Sequence, residues 1–173
     1  AMIQSLLTLS RVGHKADPIE LHDLNPMLQE LRDIVSHQLK ERKIDFVCHP
    51  LPSVFCRKYE IQQVFANLVA NAINYMGDKP EKKIEIGSAP AELSDRFFVK
   101  DTGIGIEGKN VEKIFKTFAR IEEVPVKGDG MGLAIVRKII HGYGGKILVE
   151  SRHGIGSTFY FTIPRKNDAT QTD

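Results

Sequence analysis

Three short glycine clusters in the second half of the chain restrict its fold more than any other feature. They lie at Gly103–Gly108, Gly128–Gly132 and Gly154–Gly156. One tight turn needs one or two glycines for backbone angles that other residues avoid, so three clusters within 54 residues exceed that need. Each cluster adjoins a predicted strand or helix. We therefore expect glycine turns at the ends of regular elements, where they can line a binding site.

Hydrophobic periodicity predicts interleaved helices and strands. Asn25 is expected to cap a helix with Pro26 at its first position, and Gly77 to end a second helix. Interleaved elements indicate an α/β protein, a two-layer α/β sandwich. Strands are expected near residues 19–24, 44–48, 54–56, 83–88, 96–100, 146–151 and 157–163, helices near 25–42, 58–76, 111–118 and 131–143, and a loop at 119–129.

Composition excludes several classes of function. The 24 Lys and Arg against 22 Asp and Glu leave a net charge of +2 with no basic block, so no nucleic-acid partner is expected. No apolar run approaches the roughly 18 residues of a membrane helix, so no direct membrane contact is expected. Cys48 and Cys56 are too few for a disulfide framework. A single domain in the cytoplasm fits these observations best.

The first glycine cluster alone permits two phosphate-binding interpretations. Its G-x-G-x-x-G spacing matches a dinucleotide-binding turn, but a loop and another glycine cluster stand where the second parallel strand should be. Extended to Lys109, it matches G-x-x-x-x-G-K, but Asn110 replaces the metal-binding serine or threonine. Neither interpretation accounts for the other two glycine clusters.

The helix expected at 58–76 carries three asparagines on one edge. Asn67, Asn71 and Asn74 lie within about 60° of each other around the helix. Asparagine disfavours a helix by roughly 0.6 kcal/mol relative to alanine, a cost that a binding site would explain. Carboxamide oxygens suit Mg²⁺, whereas a solvated edge or local caps explain the pattern without a ligand. The expected apolar face consists of Ile61, Val64, Phe65, Leu68, Val69, Ala72 and Ile73.

Five motifs, taken together, resemble a known family. They are A-N-L-V-A-N-A-I-N-Y at 66–75, D-T-G-I-G-I at 101–106, Phe115 with Phe118, G-D-G-M-G at 128–132 and G-I-G-S-T-F at 154–159. Their order and spacing resemble the N, G1, F, G2 and G3 boxes of the catalytic, ATP-binding domain of sensor histidine kinases. That superfamily also includes gyrase, MutL and heat-shock chaperone ATPases. The resemblance covers residues from about 19 to 164 and implies a Bergerat-type ATP-binding fold, a mixed sheet covered on one face by helices.

The resemblance implies ATP and Mg²⁺ as cofactors and assigns roles to matching residues. Asn71 matches the Mg²⁺ ligand, and Asn67 matches a position where ATP-hydrolysing relatives hold a glutamate base. These two are the expected catalytic residues, and ATP hydrolysis should be slow because an amide cannot take a proton as a carboxylate does. Asp101 matches the carboxylate that accepts a hydrogen bond from the adenine amino group. The other expected nucleotide-binding residues are Asn74, Tyr75, Gly103, Gly105, Ile106, Arg120, Lys127, Gly130, Met131, Gly132, Leu133 and Thr158.

The same resemblance assigns the surrounding segments. Gly103 and Gly105 would let the backbone approach the base. Gly130 and Gly132 would bring phosphate to a helix N-terminus, where unpaired N–H groups favour anions. Residues 119–129 match the ATP lid, in which Arg120 and Lys127 either contact phosphate or stay solvated.

Some positions depart from the family pattern. Asn74 replaces a usual lysine near the phosphates, which removes a positive charge. Arg57 and Glu60 replace an aspartate and an arginine before the asparagine helix. Asp129 replaces a threonine or serine and adds a carboxylate near the phosphates.

The acceptor histidine of such kinases lacks a convincing match. The segment at 22–26, H-D-L-N-P, resembles H-[ED]-L-[RK]-x-P-L only in part, and no hairpin of two long helices fits before the asparagine helix. Residues 2–12, which run into L-S-R-V-G, instead resemble the last turns of the second helix of that hairpin, so residues 1–15 are expected to be the end of a dimerisation-hairpin helix. Residues 16–165 would then form the ATP-binding catalytic domain, and 166–173 a disordered tail.

The expected function is the catalytic domain of a two-component protein-histidine kinase. It would supply the γ-phosphoryl group of Mg-ATP to a histidine on a separate helical hairpin. Implied partners are that dimerisation hairpin and the receiver domain of a response regulator, and the parent kinase is expected to be a homodimer. The alternative is a nucleotide-sensing regulatory module of the same fold, without transfer. A protein-interaction domain with a degenerate site is a third possibility.

Overall fold

The computed structural model describes residues 18–90, 94–110, 114–115 and 132–165. The helices are α1 (Asn25–Arg42), α2 (Lys58–Asn74) and α3 (Gly132–Gly142). The strands are β1 (Glu20–His22), β2 (Asp45–Cys48), β3 (Val54–Cys56), β4 (Lys83–Pro90), β5 (Ser94–Asp101), β6 (Ile147–Arg152) and β7 (Gly156–Pro164). The expected loop at 119–129, the chain ends at 1–15 and 166–173, and all but Ile114 and Phe115 of the expected helix at 111–118 lie outside the described residues.

The strands form a mixed sheet in the order β2-β4-β5-β7-β6. Strand β2 pairs in parallel with β4, and the other neighbours pair antiparallel. Strands β1 and β3 form a separate antiparallel pair. The strands therefore occur where the periodicity predicts them, and the mixed sheet is confirmed.

The helices cover one face of the mixed sheet. Phe97 of β5 and Phe161 of β7 are paired across the sheet, and both side chains are fully buried. The ring of Phe65 on α2 contacts both, with centroid distances of 6.1 and 5.3 Å. Arg96 and Lys100, which alternate with these core positions on β5, are exposed. Because strand side chains alternate between faces, the core lies between the sheet and the helices. This confirms the α/β sandwich, and every residue of the expected apolar face of α2 is buried.

The expected cap at Asn25 is wrong. Helix α1 begins at Asn25 itself, and the residue before it makes no side-chain cap. The Asn25 side chain instead pairs with the backbone of Leu51: its Oδ1 accepts from the Leu51 N–H at 2.8 Å, and its Nδ2 donates to the Leu51 carbonyl at 2.9 Å. A tertiary contact thus takes the side chain that local sequence assigns to capping.

Helix α2 ends two residues earlier than expected, at Asn74 rather than Met76. Tyr75 leaves the helical conformation, and its carbonyl accepts a hydrogen bond from the Ile104 N–H at 2.9 Å. Gly77 follows with φ +70°, a left-handed angle that glycine adopts without strain. The end of α2 is therefore fixed by the glycine turn at 103–105.

Neither cysteine in the described residues is in a disulfide; Cys48 is exposed and Cys56 is buried. None of the helices in the described ranges is long and apolar enough to span a membrane.

Candidate functional site

The most distinctive polar group of the sheet is the carboxylate of Asp101, the last residue of β5. Asp101 is only 8% exposed, and its Oδ1 accepts a hydrogen bond from the Gly103 N–H at 2.8 Å. It is directly opposite Ser157 of β7, on the face that the helices cover. Aspartate is seldom buried unless it is paired, so this side chain is a candidate for ligand recognition.

Burial governs the proton affinity of this carboxylate. The pKa of Asp101 is raised from 3.8 to about 6: loss of hydration raises it, and backbone hydrogen bonds from Gly103 and Ser157 and the charge of Lys79 offset part of that rise. The carboxylate is therefore mostly ionised at neutral pH, and its hydrogen bonds and the nearby charge offset only part of the hydration that it loses on burial. A ligand that donates a hydrogen bond to Asp101 would reduce that deficit.

The glycines after Asp101 are required by packing of the chain on itself. A Cβ on Gly103 would lie 2.4 Å from the Tyr75 carbonyl oxygen. A Cβ on Gly105, where φ is +71°, would lie 2.1 Å from the carbonyl oxygen of Arg152. The turn is therefore packed closely between the end of α2 and the hairpin of β6 and β7.

The asparagine edge of α2 leads toward this turn. Asn67 is 4% exposed, and its Nδ2 donates to the Gln63 carbonyl at 2.9 Å. Asn71 and Asn74 are half-buried, as is Tyr75, whose carbonyl receives the turn. The structure therefore brings the end of α2 and the Asp101 turn together. The three asparagines differ in environment: Asn67 is buried, whereas Asn71 and Asn74 are partly exposed to solvent.

Helix α3 is oriented by a contact at its far end. The Tyr143 hydroxyl, just after α3, donates to Glu60 Oε2 at 2.7 Å and accepts from the Arg57 N–H at 2.8 Å. Arg57 directly precedes α2, Glu60 lies in its first turn, and α2 packs against α3. The C-terminal end of α3 thus lies beside the N-terminal end of α2, so the two packed helices are antiparallel. The first residue of α3, Gly132, therefore lies toward the C-terminal end of α2, where Asn71 is. Arg57 and Glu60 thus position α3.

Thr158 does not lie opposite Asp101. It is paired with Lys100, one residue out of step with Asp101, and adjacent strand residues point to opposite faces. Ser157, opposite Asp101, is buried. The structure thus brings Ser157, and not Thr158, next to Asp101; the expected nucleotide contact of Thr158 stays a prediction. The buried alternation of β7, which Ser157 shares with Phe159, is the sequence signal that would have identified this neighbour of Asp101.

The hydroxyl group of Ser151 on β6 also holds the turn in place. Its Oγ accepts from the Ile106 N–H at 2.8 Å, donates to the Gly156 carbonyl at 3.0 Å and lies 2.8 Å from Ser157 Oγ. Ile106, an expected site residue, is buried and held by this bond. Sequence reasoning missed Ser151 because a serine inside a strand carries no motif.

Another missed residue is Lys79, in the connection between α2 and β4. Its ammonium group donates to the carbonyls of Thr102 and Gly103 at 2.9 and 2.7 Å, and to the carbonyl of Ile155 at 3.1 Å. No periodicity marks this polar connection, so the sequence gives no sign of the contact.

Of the site residues expected between 120 and 133, only the last two lie in the described part of the chain. Gly132 opens α3, and Leu133 packs against the hydrophobic core. Arg120, Lys127, Gly130 and Met131 lie outside the described residues.

Comparison with known proteins agrees with this arrangement. Residues 57–167 match the family model described as histidine kinase-, DNA gyrase B-, and HSP90-like ATPase. The chain is 42% identical to cyanobacterial phytochrome B of Nostoc sp. (strain PCC 7120) over 167 residues, which are 94% of this chain and 22% of that protein. The chain spans about a fifth of the length of this protein and of the regulatory histidine kinase FilI of Methanothrix harundinacea.

Two solved structures of the histidine kinase ThkA share the fold. Its catalytic domain superposes with a TM-score of 0.72 at 34% identity, covering 85% of this chain and 97% of that domain. ThkA in complex with the response regulator protein TrrA matches with a TM-score of 0.71 at 29% identity, covering 95% of this chain and 47% of that chain.

Proposed function

We propose, because the chain belongs to the histidine kinase-, DNA gyrase B-, and HSP90-like ATPase family, that it is the ATP-binding catalytic domain of a two-component sensor histidine kinase. It would supply the γ-phosphoryl group of Mg-ATP to a histidine on a helical hairpin. The observation that carries the proposal is the buried carboxylate of Asp101, whose lost hydration is only partly offset, beside a closely packed glycine turn.

The chemistry of the Asp101 carboxylate fits adenine. The exocyclic amino group of adenine donates hydrogen bonds, and Asp101 would accept one of them. Guanine carries a carbonyl oxygen at the equivalent ring position, which a carboxylate repels. Base recognition would therefore select ATP over GTP.

The side chains at the proposed phosphate site would give Mg²⁺ few protein ligands, and this ion needs few. Within the described ranges, no three His, Cys, Asp or Glu side chains are grouped to hold a metal. Mg²⁺ commonly keeps waters and phosphate oxygens and takes only one or two protein ligands. Asn71 would supply a carboxamide oxygen, and the first N–H groups of α3 at Gly132 would hold phosphate. Bound Mg²⁺ would neutralise charge on the transferred phosphoryl group.

Asn67 remains a polar neighbour rather than a base. Its amide takes no proton, and its Nδ2 is bound to the Gln63 carbonyl. Transfer to a histidine would then depend on positioning and electrostatics, which dominate phosphoryl transfer. The proposed partners are the histidine-bearing dimerisation hairpin and a response regulator receiver domain, and the proposed full-length protein is a homodimer. ThkA, a relative by structure, has been solved with the response regulator protein TrrA. The expected cytoplasmic location remains a prediction.

Calorimetry with a non-hydrolysable ATP analogue tests nucleotide binding. We expect a Mg²⁺-dependent titration that weakens when a chelator is added. Asp101→Asn should lower the affinity about 10- to 100-fold, on the order of 1–3 kcal/mol, and reduce the preference for adenine over guanine. The physical reason is that an amide presents a donor where adenine also donates.

Asp95→Asn is the matched control for this titration. Asp95 is on the same strand and forms an ordinary ion pair with Arg165 at 3.1 Å. Its replacement should leave nucleotide affinity unchanged. Absence of heat at millimolar analogue, with folded protein, would refute the proposed function.

A further inference from the structure

The three hydrogen bonds of Lys79 join two segments that border the Asp101 site. Thr102 and Gly103 directly follow Asp101, and Ile155 lies at the tip of the hairpin between β6 and β7. An ammonium group has three N–H donors, and here each has a backbone carbonyl within 3.1 Å. The side chain therefore acts as a cross-link between the turn and the hairpin tip.

Residues 102–103 follow the point where the pairing of β5 with β7 ends, so other hydrogen bonds must hold them. The last pair of β5 with β7 is Asp101 with Ser157. Beyond it the turn is held to its surroundings by separate hydrogen bonds, such as Gly154 N–H to the Ile104 carbonyl at 2.7 Å and Ile106 N–H to Ser151 Oγ at 2.8 Å. To these bonds Lys79 adds three from one residue, and bonds from a charged donor are stronger than those between neutral groups.

We propose that Lys79 is a positioning residue for nucleotide recognition: it fixes the 102–103 backbone against the hairpin tip and thereby holds the Asp101 carboxylate in place for the base. This inference rests on the proposed function. Lys79 acts through Asp101 and does not itself touch the nucleotide, since its donors are directed to backbone carbonyls.

The charge of Lys79 adds an electrostatic effect to this geometry. Among the described residues, the groups that act on Asp101 are the Gly103 N–H from the turn, the Ser157 backbone from β7 and the Lys79 ammonium from the connection after α2. Removal of the ammonium group takes away one of the groups that offset the desolvation of Asp101, so the pKa of Asp101 rises from its value of about 6. Adenine needs the ionised acceptor, so affinity is lost as pH falls through that pKa. Neutralising Lys79 should move this loss to higher pH.

The test compares Lys79→Met with Lys82→Met in the full chain. Lys82 is in the same connection and its ammonium group forms an ion pair with Asp78 at 3.8 Å, so its replacement makes the same charge change without removing the three bonds of Lys79. Lys79→Gln is a second neutral variant in case the methionine variant does not fold. Lys79→Arg retains the charge and tests rescue.

Two readouts are measured on folded protein: the ¹³C shift of the Asp101 carboxyl against pH without nucleotide, and calorimetric affinity for the ATP analogue. For Lys79→Met we expect the Asp101 midpoint to rise and the affinity at pH 7 to fall on the order of tenfold. Lys82→Met should behave as the unmodified chain, and Lys79→Arg should restore the midpoint.

An unchanged midpoint, or unchanged affinity, in a folded Lys79 variant would overturn the positioning role. That result differs from failure of the proposed function, in which the unmodified chain itself binds no analogue.

Discussion

Replacement of Asn71 by alanine is expected to lower phosphoryl transfer at least about 100-fold, the scale seen when one electrostatic contact to the reacting group is lost. Asn71 is half-buried on the edge of α2 that leads to the Asp101 turn, and α3 begins toward the same end. Its carboxamide oxygen is the proposed protein ligand of Mg²⁺. The apolar face of α2 would be untouched, so the fold should persist. The measurement is transfer from γ-labelled ATP to a separately produced helical-hairpin domain.

Gln62→Ala is the control for this variant. Gln62 is a half-buried carboxamide on the same helix, on the side opposite Asn71. The Gln62→Ala variant should transfer the phosphoryl group at the rate of the unmodified chain. Equal rates for Asn71→Ala and Gln62→Ala would show that Asn71 is not the metal ligand.

Gly105→Ala is expected to destabilise the chain by about 3–4 kcal/mol. The backbone at Gly105 has φ +71°, and an added Cβ would lie 2.1 Å from the backbone carbonyl of Arg152. A backbone atom cannot rotate away as a side chain can, so the turn or the hairpin would have to move. Since whole domains are stable by about 5–15 kcal/mol, this loss is a large fraction of the total. Urea denaturation monitored by circular dichroism measures it.

Gly108→Ala provides a matched comparison within the same glycine cluster. A Cβ at Gly108 meets no atom within 4 Å. Its replacement should change the free energy of unfolding by less than about 0.5 kcal/mol. If both variants unfold at the same urea concentration, the packing explanation for Gly105 fails.

Sequence periodicity located the core well because burial imposes regular spacing. The apolar face expected on the asparagine helix is the buried face of α2, and the strands on either side occur where alternation predicts them. Asp101 was identified by a motif, and its burial at the end of β5 gives that motif a physical basis.

The errors arose where one segment depends on a distant one. Asn25 pairs with Leu51 instead of capping α1, and α2 stops early because the Tyr75 carbonyl binds the glycine turn. The register between β5 and β7 places Ser157 rather than Thr158 opposite Asp101, and that register is not contained in either strand alone. Lys79 had no sequence signal, since its partners are backbone carbonyls of segments remote in sequence. Local patterns do not contain these pairings.

The central claim is that this chain donates the phosphoryl group and does not accept it. His22, in the partial acceptor motif, is the last residue of β1 and is paired with Val54 on β3. It is therefore part of a strand pair, whereas the acceptor motif belongs to a helical hairpin. The hairpin domain of the proposed full-length protein, produced separately, would supply the acceptor.

Incubation with γ-labelled ATP tests this claim most directly. The chain alone should give no acid-labile, base-stable phosphoprotein, and adding the hairpin domain should label the hairpin. That labelling should be weak, because separation removes an effective concentration that reaches millimolar for linked domains. Self-labelling that His22→Gln abolishes would contradict the claim. Absence of hairpin labelling by a chain that binds ATP would also contradict it and would favour nucleotide sensing without transfer.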